Sequence, residues 1–166
     1  MSVDTTTAGA LPGRTLFAMA VATGLAVANI YYNQPMLGVM SESLHDTRVS
    51  GWIPTLTQLG YASGLLFLLP LGDMLERRRL IVVQFLVLAL ALVVMASAPG
   101  LVALAVASVL VGAAATVAQH IVPFAAILSA PEKRGAAIGS VMSGLFTGIL
   151  LSRTLAGLVS SVAGWR

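Results

Sequence analysis

Side chains that can bind a solute or a proton are rare in this sequence, and most of them lie inside long apolar stretches. An amide or a phenol can hydrogen-bond a polar solute, an imidazole can carry a proton, and a guanidinium can hold an anionic group. A polar side chain costs free energy in hydrocarbon, so it tends to face a cavity or another helix. The candidates for a substrate cavity are therefore Asn29, Tyr32, Asn33, Gln58, Tyr61, Gln119, His120 and Arg153.

The spacing of these residues predicts which of them share a helix face. Asn29, Tyr32 and Asn33 have helical spacing and are expected on one face, and Gln58 and Tyr61 are expected together on another. Tyrosine near a membrane boundary is equally typical of an interfacial anchor. Cavity and anchor therefore remain alternatives for the tyrosines, whereas the deeper position of Gln58 favours a cavity.

His120 and Arg153 also have simpler alternatives. A lone intramembrane histidine is more often a hydrogen-bonding group in helix packing than a proton carrier. Arg153 lies in the outer half of its apolar stretch, from which it can extend its charge to the interface. A stripe of small residues on the opposite face instead favours close helix packing there and an arginine directed at a cavity. The expected packing glycines are Gly60, Gly64, Gly144 and Gly148.

Catalytic and metal-binding groups are missing from the apolar stretches. The chain has no cysteine, and its six acidic residues fall in the N-terminal tail or in expected loops. No segment brings together a nucleophile and a base, paired carboxylates or metal ligands. The basic residues form no face with interleaved aromatic residues. The sequence therefore argues against an enzyme, a metal site, a bound cofactor and a nucleic-acid partner.

The elements that must position the candidate residues are long apolar stretches. Hydrophobic residues make up 58% of the chain and charged residues only 9%, a balance typical of membrane proteins. A stretch of roughly 20 apolar residues is long enough to cross a bilayer as a helix. The sequence predicts an all-α membrane protein with a tail at 1–14 and five spans, at about 15–36, 51–71, 80–98, 101–128 and 135–159.

The distribution of basic residues predicts the orientation of these spans. Short loops rich in Lys and Arg remain in the cytoplasm. With a cytoplasmic N-terminus, only Arg48 and Arg166 lie outside, and the basic residues inside are Arg14, Arg77, Arg78, Arg79, Lys133 and Arg134. A competing interpretation makes the first stretch a signal peptide, because AVA at 26–28 resembles a cleavage site. The apolar character continues past that point, which favours a multi-pass membrane protein with its N-terminus inside.

The segment PLGDMLERRRL, between the second and third expected spans, resembles the cytoplasmic signature loop of the major facilitator superfamily. In outline that loop reads Gly-x-Leu-Ala-Asp-x-x-Gly-Arg-Arg/Lys. The two glycines of the pattern are replaced by Leu69 and Glu76. ANIYYNQPML, LTQLGYASG and GLFTGILLSRTLAGLV are similar to segments of the bacterial efflux-type branch. The residues that match the functional positions of the loop are Gly72, Asp73, Arg77 and Arg78.

The resemblance implies a twelve-helix transporter whose two six-helix halves open a central site alternately to either side. This chain would supply about five helices, with 15–166 forming part of the N-terminal bundle. The implied function is secondary active transport of a small organic solute in the bacterial inner membrane, by efflux in exchange for protons. The energy source is then the proton gradient, without a cofactor. The implied partners are the lipid bilayer, the solute and the missing C-terminal half.

The resemblance also implies roles for particular residues. In the superfamily the signature loop latches the cytoplasmic gate, which gives Asp73 and Arg77 a part in the conformational switch. The titrating carboxylate is expected in the missing half. Where helix five of antiporters often has Gly-Pro, this chain has Ser152 and Arg153, which departs from the antiporter pattern. The alternative function is a five-helix membrane scaffold or assembly protein, in which the small-residue stripes serve oligomerisation.

Overall fold

The computed structural model describes residues 11–163, and the regular elements in this range are all helical. Five stretches are long and apolar enough to cross a membrane, so the prediction of an all-α membrane protein is confirmed. Most of the expected tail at 1–14 lies outside the described residues, and so does Arg166. The five spans are Gly13–Leu44, Val49–Met74, Arg77–Ala96, Leu101–Leu128 and Pro131–Val162.

Several of the spans consist of more than one helix. Short 3₁₀ turns at Gln34–Met36 and Pro131–Lys133 lie beside the α-helices. Within the described range the α-helices are α1 (Gly13–Tyr31), α2 (Leu37–Leu44), α3 (Val49–Phe67), α4 (Leu71–Met74), α5 (Arg77–Ala96), α6 (Leu101–Ala115), α7 (Val117–Leu128) and α8 (Arg134–Ala163).

The first span extends further than the sequence predicts. The first span was expected to end at about residue 36, whereas α2 continues to Leu44 and includes Glu42. This helix forms because its apolar face packs inward, where Met40 is buried. His45 then takes a left-handed conformation, with φ of 51°, and ends the helix.

The fourth span is two helices rather than one. Thr116 stands between α6 and α7, where its hydroxyl donates to the carbonyl of Ala113 at 2.6 Å. Its backbone N–H donates to the same carbonyl at 3.3 Å. This local bonding competes with the regular helical pattern. Pro123, by contrast, lies inside α7.

The fourth span is also the centre of the bundle. In the most apolar part of this span 56% of the residues are buried, whereas the corresponding share in the other spans is 22–28%. The most extensively packed helix pairs are α1 with α8 and α3 with α6. Large apolar side chains on the outside, such as Leu66, Leu90 and Leu158, are exposed, as expected for a surface that lipid covers.

Candidate functional site

The signature loop forms the junction between the second and third spans. Pro70 precedes the one-turn helix α4. The chain is then extended at Leu75 and Glu76 before α5 begins. A proline is favourable at a helix start, because the first N–H groups of a helix have no intrahelical acceptor. This turn places Asp73 of α4 close to Arg77, the first residue of α5.

Asp73 and Arg77 form an ion pair at the surface of the loop. Nη2 of Arg77 donates to Oδ1 of Asp73 at 2.8 Å, and its Nε donates to the carbonyl of Gly72 at 3.2 Å. The Asp73 side chain is 78% exposed and that of Arg77 is 26% exposed. A carboxylate has about four acceptor sites. Arg77 therefore holds Asp73 in place while leaving it free to accept further hydrogen bonds.

His120, which the sequence groups with the cavity candidates, lies directly behind this loop. It is only 3% exposed, and its ring lies against Gly72 of α4. A Cβ added at Gly72 would lie 2.6 Å from Nδ1 of His120. The fourth span therefore supports the signature loop through His120, and only a glycine fits at position 72.

A buried polar pair lies one helical turn further into the bundle than His120. Nε2 of Gln84 in α5 donates to Oγ1 of Thr116 at 3.4 Å, and Gln84 is 4% exposed. Sequence reasoning missed Gln84, although a single amide in an otherwise apolar helix was an available signal. Within the described residues, Oε1 of Gln84 and Nε2 of His120 are buried without a hydrogen-bond partner. The interior near α5 and α7 therefore contains two polar atoms without a hydrogen-bond partner.

Arg78, the other member of the basic pair, lies on a different side of α5 from Arg77. Consecutive residues of an α-helix are about 100° apart. Arg78 lines a groove between α1, α5 and α7. Over residues 11–163 the ion pairs are Arg48 with Asp46 and Arg77 with Asp73. The pairing with Asp73 thus belongs to Arg77 alone.

The polar residues near the outer end of α1 diverge. Asn33 is 1% exposed, and its Nδ2 donates to Oγ1 of Thr57 in α3 at 3.4 Å. The hydroxyl of Tyr32 donates to Sδ of Met95 in α5 at 2.8 Å. Asn29 donates to a carbonyl of its own helix. The expectation that these residues share one face is therefore wrong for Tyr32 and Asn33.

Tyr61 and Gln119 connect the second and fourth spans. Nε2 of Gln119 donates to the Tyr61 hydroxyl oxygen at 2.9 Å, and both residues are half-buried. Gln58 does not join them, because it is exposed in a shallow depression that Pro54 and Leu59 also line. The bridge leaves the Tyr61 hydroxyl proton and Oε1 of Gln119 available for a polar solute.

Arg153 lies over an aromatic ring of the first span. Its Cζ is 5.6 Å from the centroid of the Tyr31 ring, a separation typical of a cation–π interaction. The side chain is exposed. The small-residue stripe on the other side of α8 packs against α1, so Arg153 is directed away from that helix contact.

The expected packing glycines lie at the closest helix contacts. A Cβ added at Gly60 or Gly64 would collide with the backbone of α6, and one added at Gly144 or Gly148 would collide with the backbone of α1. Backbone atoms cannot rotate out of the way as a side chain can. Small residues therefore set the separation of both helix pairs, as they do in other membrane bundles.

The glycine-packed helix pairs and the signature loop lie in a region with known relatives. Residues 19–166 match the Major Facilitator Superfamily. This chain belongs to that superfamily. The matched region includes the signature loop and all the candidate side chains described above. The family that the sequence resembles is therefore confirmed.

Two bacterial relatives, both named as transporters, extend well beyond the region that this chain matches. It is 50% identical over 149 residues to Uncharacterized transporter YgaY of Escherichia coli O157:H7. It is 38% identical over 149 residues to Probable transporter SCO4007 of Streptomyces coelicolor. Each comparison covers 89% of this chain but only 38% or 35% of the relative, so the chain spans little more than a third of their length. No solved structure matches it.

Membership in the major facilitator superfamily also distinguishes a transporter from an enzyme. The family and the relatives are transporters, which confirms that the chain is not an enzyme. Within residues 11–163, no three His, Asp or Glu side chains lie close enough together to hold a metal ion. The polar side chains of this bundle offer hydrogen-bond donors and acceptors, and Arg153 offers an exposed positive charge.

Proposed function

We propose that this chain forms the N-terminal part of a secondary transporter, which exports a small organic solute across the bacterial inner membrane in exchange for protons. The observation that carries this proposal is the Asp73 and Arg77 pair, in which an exposed carboxylate is held by an anchored guanidinium. Alternating access requires contacts that form in one state and break in the other. Asp73 can make such a contact with a hydrogen-bond donor on a second helical bundle.

The proposed orientation places the signature loop in the cytoplasm. One end of the bundle carries most of the basic residues, and we call it the basic end. Positive charge in short loops keeps such an end inside. The basic end is defined by Arg14, Arg77, Arg78, Arg79, Lys133 and Arg134.

The proposed solute site uses two of the polar arrangements. Arg153 is exposed beside Tyr31, where it can hold an anionic group of the solute or pair with a carboxylate of a second bundle. The bridge between Tyr61 and Gln119 supplies a donor and an acceptor. Asn33 and His120 contribute to helix packing instead, because both are buried between helices.

The proton-coupling group is proposed to lie outside this chain. Buried His120 is the one titratable imidazole within the described spans, and it already contacts the signature loop. A coupling site must exchange protons with water in both states, which a carboxylate facing a shared cavity does more readily. The acidic residues of this chain lie at or beyond the ends of the spans, and they are Asp4, Glu42, Asp46, Asp73, Glu76 and Glu132.

The scaffold alternative loses its main support in this arrangement. It requires small-residue stripes that are free to contact another copy of the chain. Gly60 and Gly64 are occupied by α6, and Gly144 and Gly148 are occupied by α1. The stripes therefore stabilise the bundle itself rather than offering a surface for oligomerisation.

The proposal is tested with the complete gene product reconstituted in proteoliposomes that carry an imposed pH gradient. Addition of a transported solute should release protons, which a pH-sensitive dye inside the vesicles reports. A protonophore should abolish solute movement. Asp73→Asn should slow turnover at least tenfold, while Glu132→Gln, which removes an exposed carboxylate without an ion pair at the same end of the bundle, should not. Solute movement that is unchanged by the protonophore would refute the coupling of solute export to protons.

A further inference from the structure

Two buried polar atoms on neighbouring helices lack a hydrogen-bond partner within residues 11–163. They are Oε1 of Gln84 in α5 and Nε2 of His120 in α7. Gln84 is 4% exposed and His120 is 3% exposed. A buried polar atom without a hydrogen bond costs free energy, and the cost is greatest in an interior of low dielectric constant. Each of the two atoms therefore needs a partner.

The rest of the gene product cannot supply that partner in this arrangement. Both atoms are already inaccessible in the bundle that this chain forms. A further helix packed on the outside of the bundle would only cover them more deeply. The partner must therefore come from inside the bundle, or it must be a molecule small enough to lie there.

Gln84 and His120 lie around the same part of the interior. Nε2 of Gln84 donates to Oγ1 of Thr116 at 3.4 Å. A Cβ added at Gly72 would lie 2.9 Å from Cε1 of His120 and 3.8 Å from Cδ2 of Leu80. Leu80 precedes Gln84 by one turn, and Thr116 precedes His120 by one turn. Gln84 and His120 are therefore diagonal neighbours, offset along the bundle by about 5.4 Å.

A water molecule has the reach and the chemistry that these two atoms require. Thr116 cannot donate to Oε1 of Gln84, because its one hydroxyl proton is donated to the carbonyl of Ala113 at 2.6 Å. A water with hydrogen bonds of about 2.8 Å on each side joins two atoms up to about 5.6 Å apart. That reach matches the offset of about one turn between Gln84 and His120.

We propose that one water molecule is bound between α5 and α7, where it accepts from Nε2 of His120 and donates to Oε1 of Gln84 and to Oγ1 of Thr116. A buried water makes about three hydrogen bonds to groups that otherwise lack partners, and the Thr116 oxygen keeps an unused lone pair. The water fixes the imidazole as the tautomer with its proton on Nε2. Because His120 lies against Gly72, the water extends the support of the signature loop into the bundle. The site does not depend on what the transporter carries.

X-ray radiolysis of the complete gene product in nanodiscs detects such a water. The X-ray pulse splits water into hydroxyl radicals, and mass spectrometry locates the side chains that these radicals oxidise. A scavenger that stays outside the protein removes radicals formed in bulk solvent, whereas a radical formed from a bound water reacts at once with its neighbours. Oxidation of His120 should therefore persist in the presence of the scavenger. His45, an exposed histidine at the end of α2, is the matched comparison, and its oxidation should fall several-fold.

Substitutions on both sides of the water give a second measurement. Gln84→Leu and His120→Phe each replace a polar side chain with an apolar one, and each should lower the unfolding temperature by about 2–4 °C. The double variant should lose clearly less than the sum, because either substitution alone already breaks the bridge. Gln84→Leu should also reduce the scavenger-resistant oxidation of His120. Leu88→Met, one turn further along the same buried face of α5, conserves volume and should change the unfolding temperature little.

Four outcomes would overturn the proposal, and the radiolysis of the wild-type protein needs no variant to fold. Equal suppression of His120 and His45 by the scavenger, or no oxidation of His120 at all, would show that no water is bound beside the ring. A higher unfolding temperature for Gln84→Leu would show that the amide oxygen has no partner, since loss of an unsatisfied acceptor stabilises. Strictly additive losses would mean that the two side chains share no ligand. Non-additive losses without scavenger-resistant oxidation would indicate a direct hydrogen bond instead of a water.

Discussion

His120 lies directly against Gly72, so that a Cβ at position 72 would be 2.6 Å from Nδ1 and 2.9 Å from Cε1 of the imidazole. The contact continues a pattern along the second span. Gly64 lies against Thr116 in the same way, one turn deeper. The fourth span therefore holds both the second span and the signature loop through two polar side chains that are themselves one turn apart.

Gly72→Ala should destabilise the bundle by about 1–3 kcal/mol, because the added methyl group must displace a buried imidazole ring. Thermal unfolding in detergent, followed by circular dichroism, measures the effect. In the background of His120→Ala the same substitution should cost much less, since the ring is gone. Equal costs in the two backgrounds would mean that the imidazole does not restrict position 72.

The contact between α1 and α8 can be tested with two glycines of the same helix. Gly148→Ala should destabilise the bundle by about 1–3 kcal/mol or more, because the new Cβ meets the Gly24 backbone. Gly139→Ala has open space around its Cβ and should stabilise by about 0.5–1 kcal/mol through helix propensity. Unfolding of the two variants in detergent gives the comparison. Similar stabilities would show that α8 can move away from α1 at little cost.

The bundle itself could be predicted from the sequence because a bilayer demands long apolar helices. The order of the five spans followed from apolar length alone. Helix ends were less predictable, since they depend on local side-chain bonding. Thr116 interrupts the fourth span through its bond to the Ala113 carbonyl, whereas Pro123 is accommodated within α7.

The contact partners of the polar side chains could not be predicted from the periodicity of the sequence. Periodicity states which residues share a face of one helix, but not which neighbour that face meets. Tyr32 and Asn33 are adjacent in sequence and point in directions about 100° apart. Tyr32 therefore contacts α5, whereas Asn33 contacts α3. His120 likewise contacts the signature loop because of how α4 packs on α7. Such contacts depend on tertiary structure.

The loop between the first two spans should show a pH-dependent ion pair. Hydrogen bonds from the Arg48 side chain, and then from its backbone N–H, hold the pKa of Asp46 below its ordinary value of 3.8. The pair therefore contributes fully to the stability of the loop at a pH above that ordinary value. This contribution is lost as the pH falls through the lowered pKa. Carboxyl chemical shifts measured by NMR should give Asp46 a midpoint below 3.8, and Arg48→Gln should raise it. A midpoint that Arg48→Gln leaves unchanged would contradict the assigned cause.

Arg153→Ala should reduce transport by the complete gene product at least tenfold while leaving its insertion intact, because the side chain is exposed and lies away from the contact with α1. Arg153→Lys keeps the charge but loses the planar group over Tyr31, so it should retain part of the activity. Solute flux in proteoliposomes and size-exclusion profiles separate the two effects. Full transport by Arg153→Ala would show that the arginine is structural.

Asp73→Asn should leave stability nearly unchanged and still slow the transport cycle. The Asp73 carboxylate is 78% exposed, and exposed ion pairs contribute about 0–1 kcal/mol, so the unfolding temperature in detergent should barely change.

The transport cycle is affected differently, because an exposed acceptor can gain a partner in one state only. Met74→Cys introduces a thiol at a position that is 83% exposed, and the rate at which a thiol reagent labels it reports the state of the loop. Asp73→Asn should change those rates on solute addition, and Arg77→Gln should do the same, with the double variant no worse than either alone. Independent, additive effects would show that the two residues do not act as one unit.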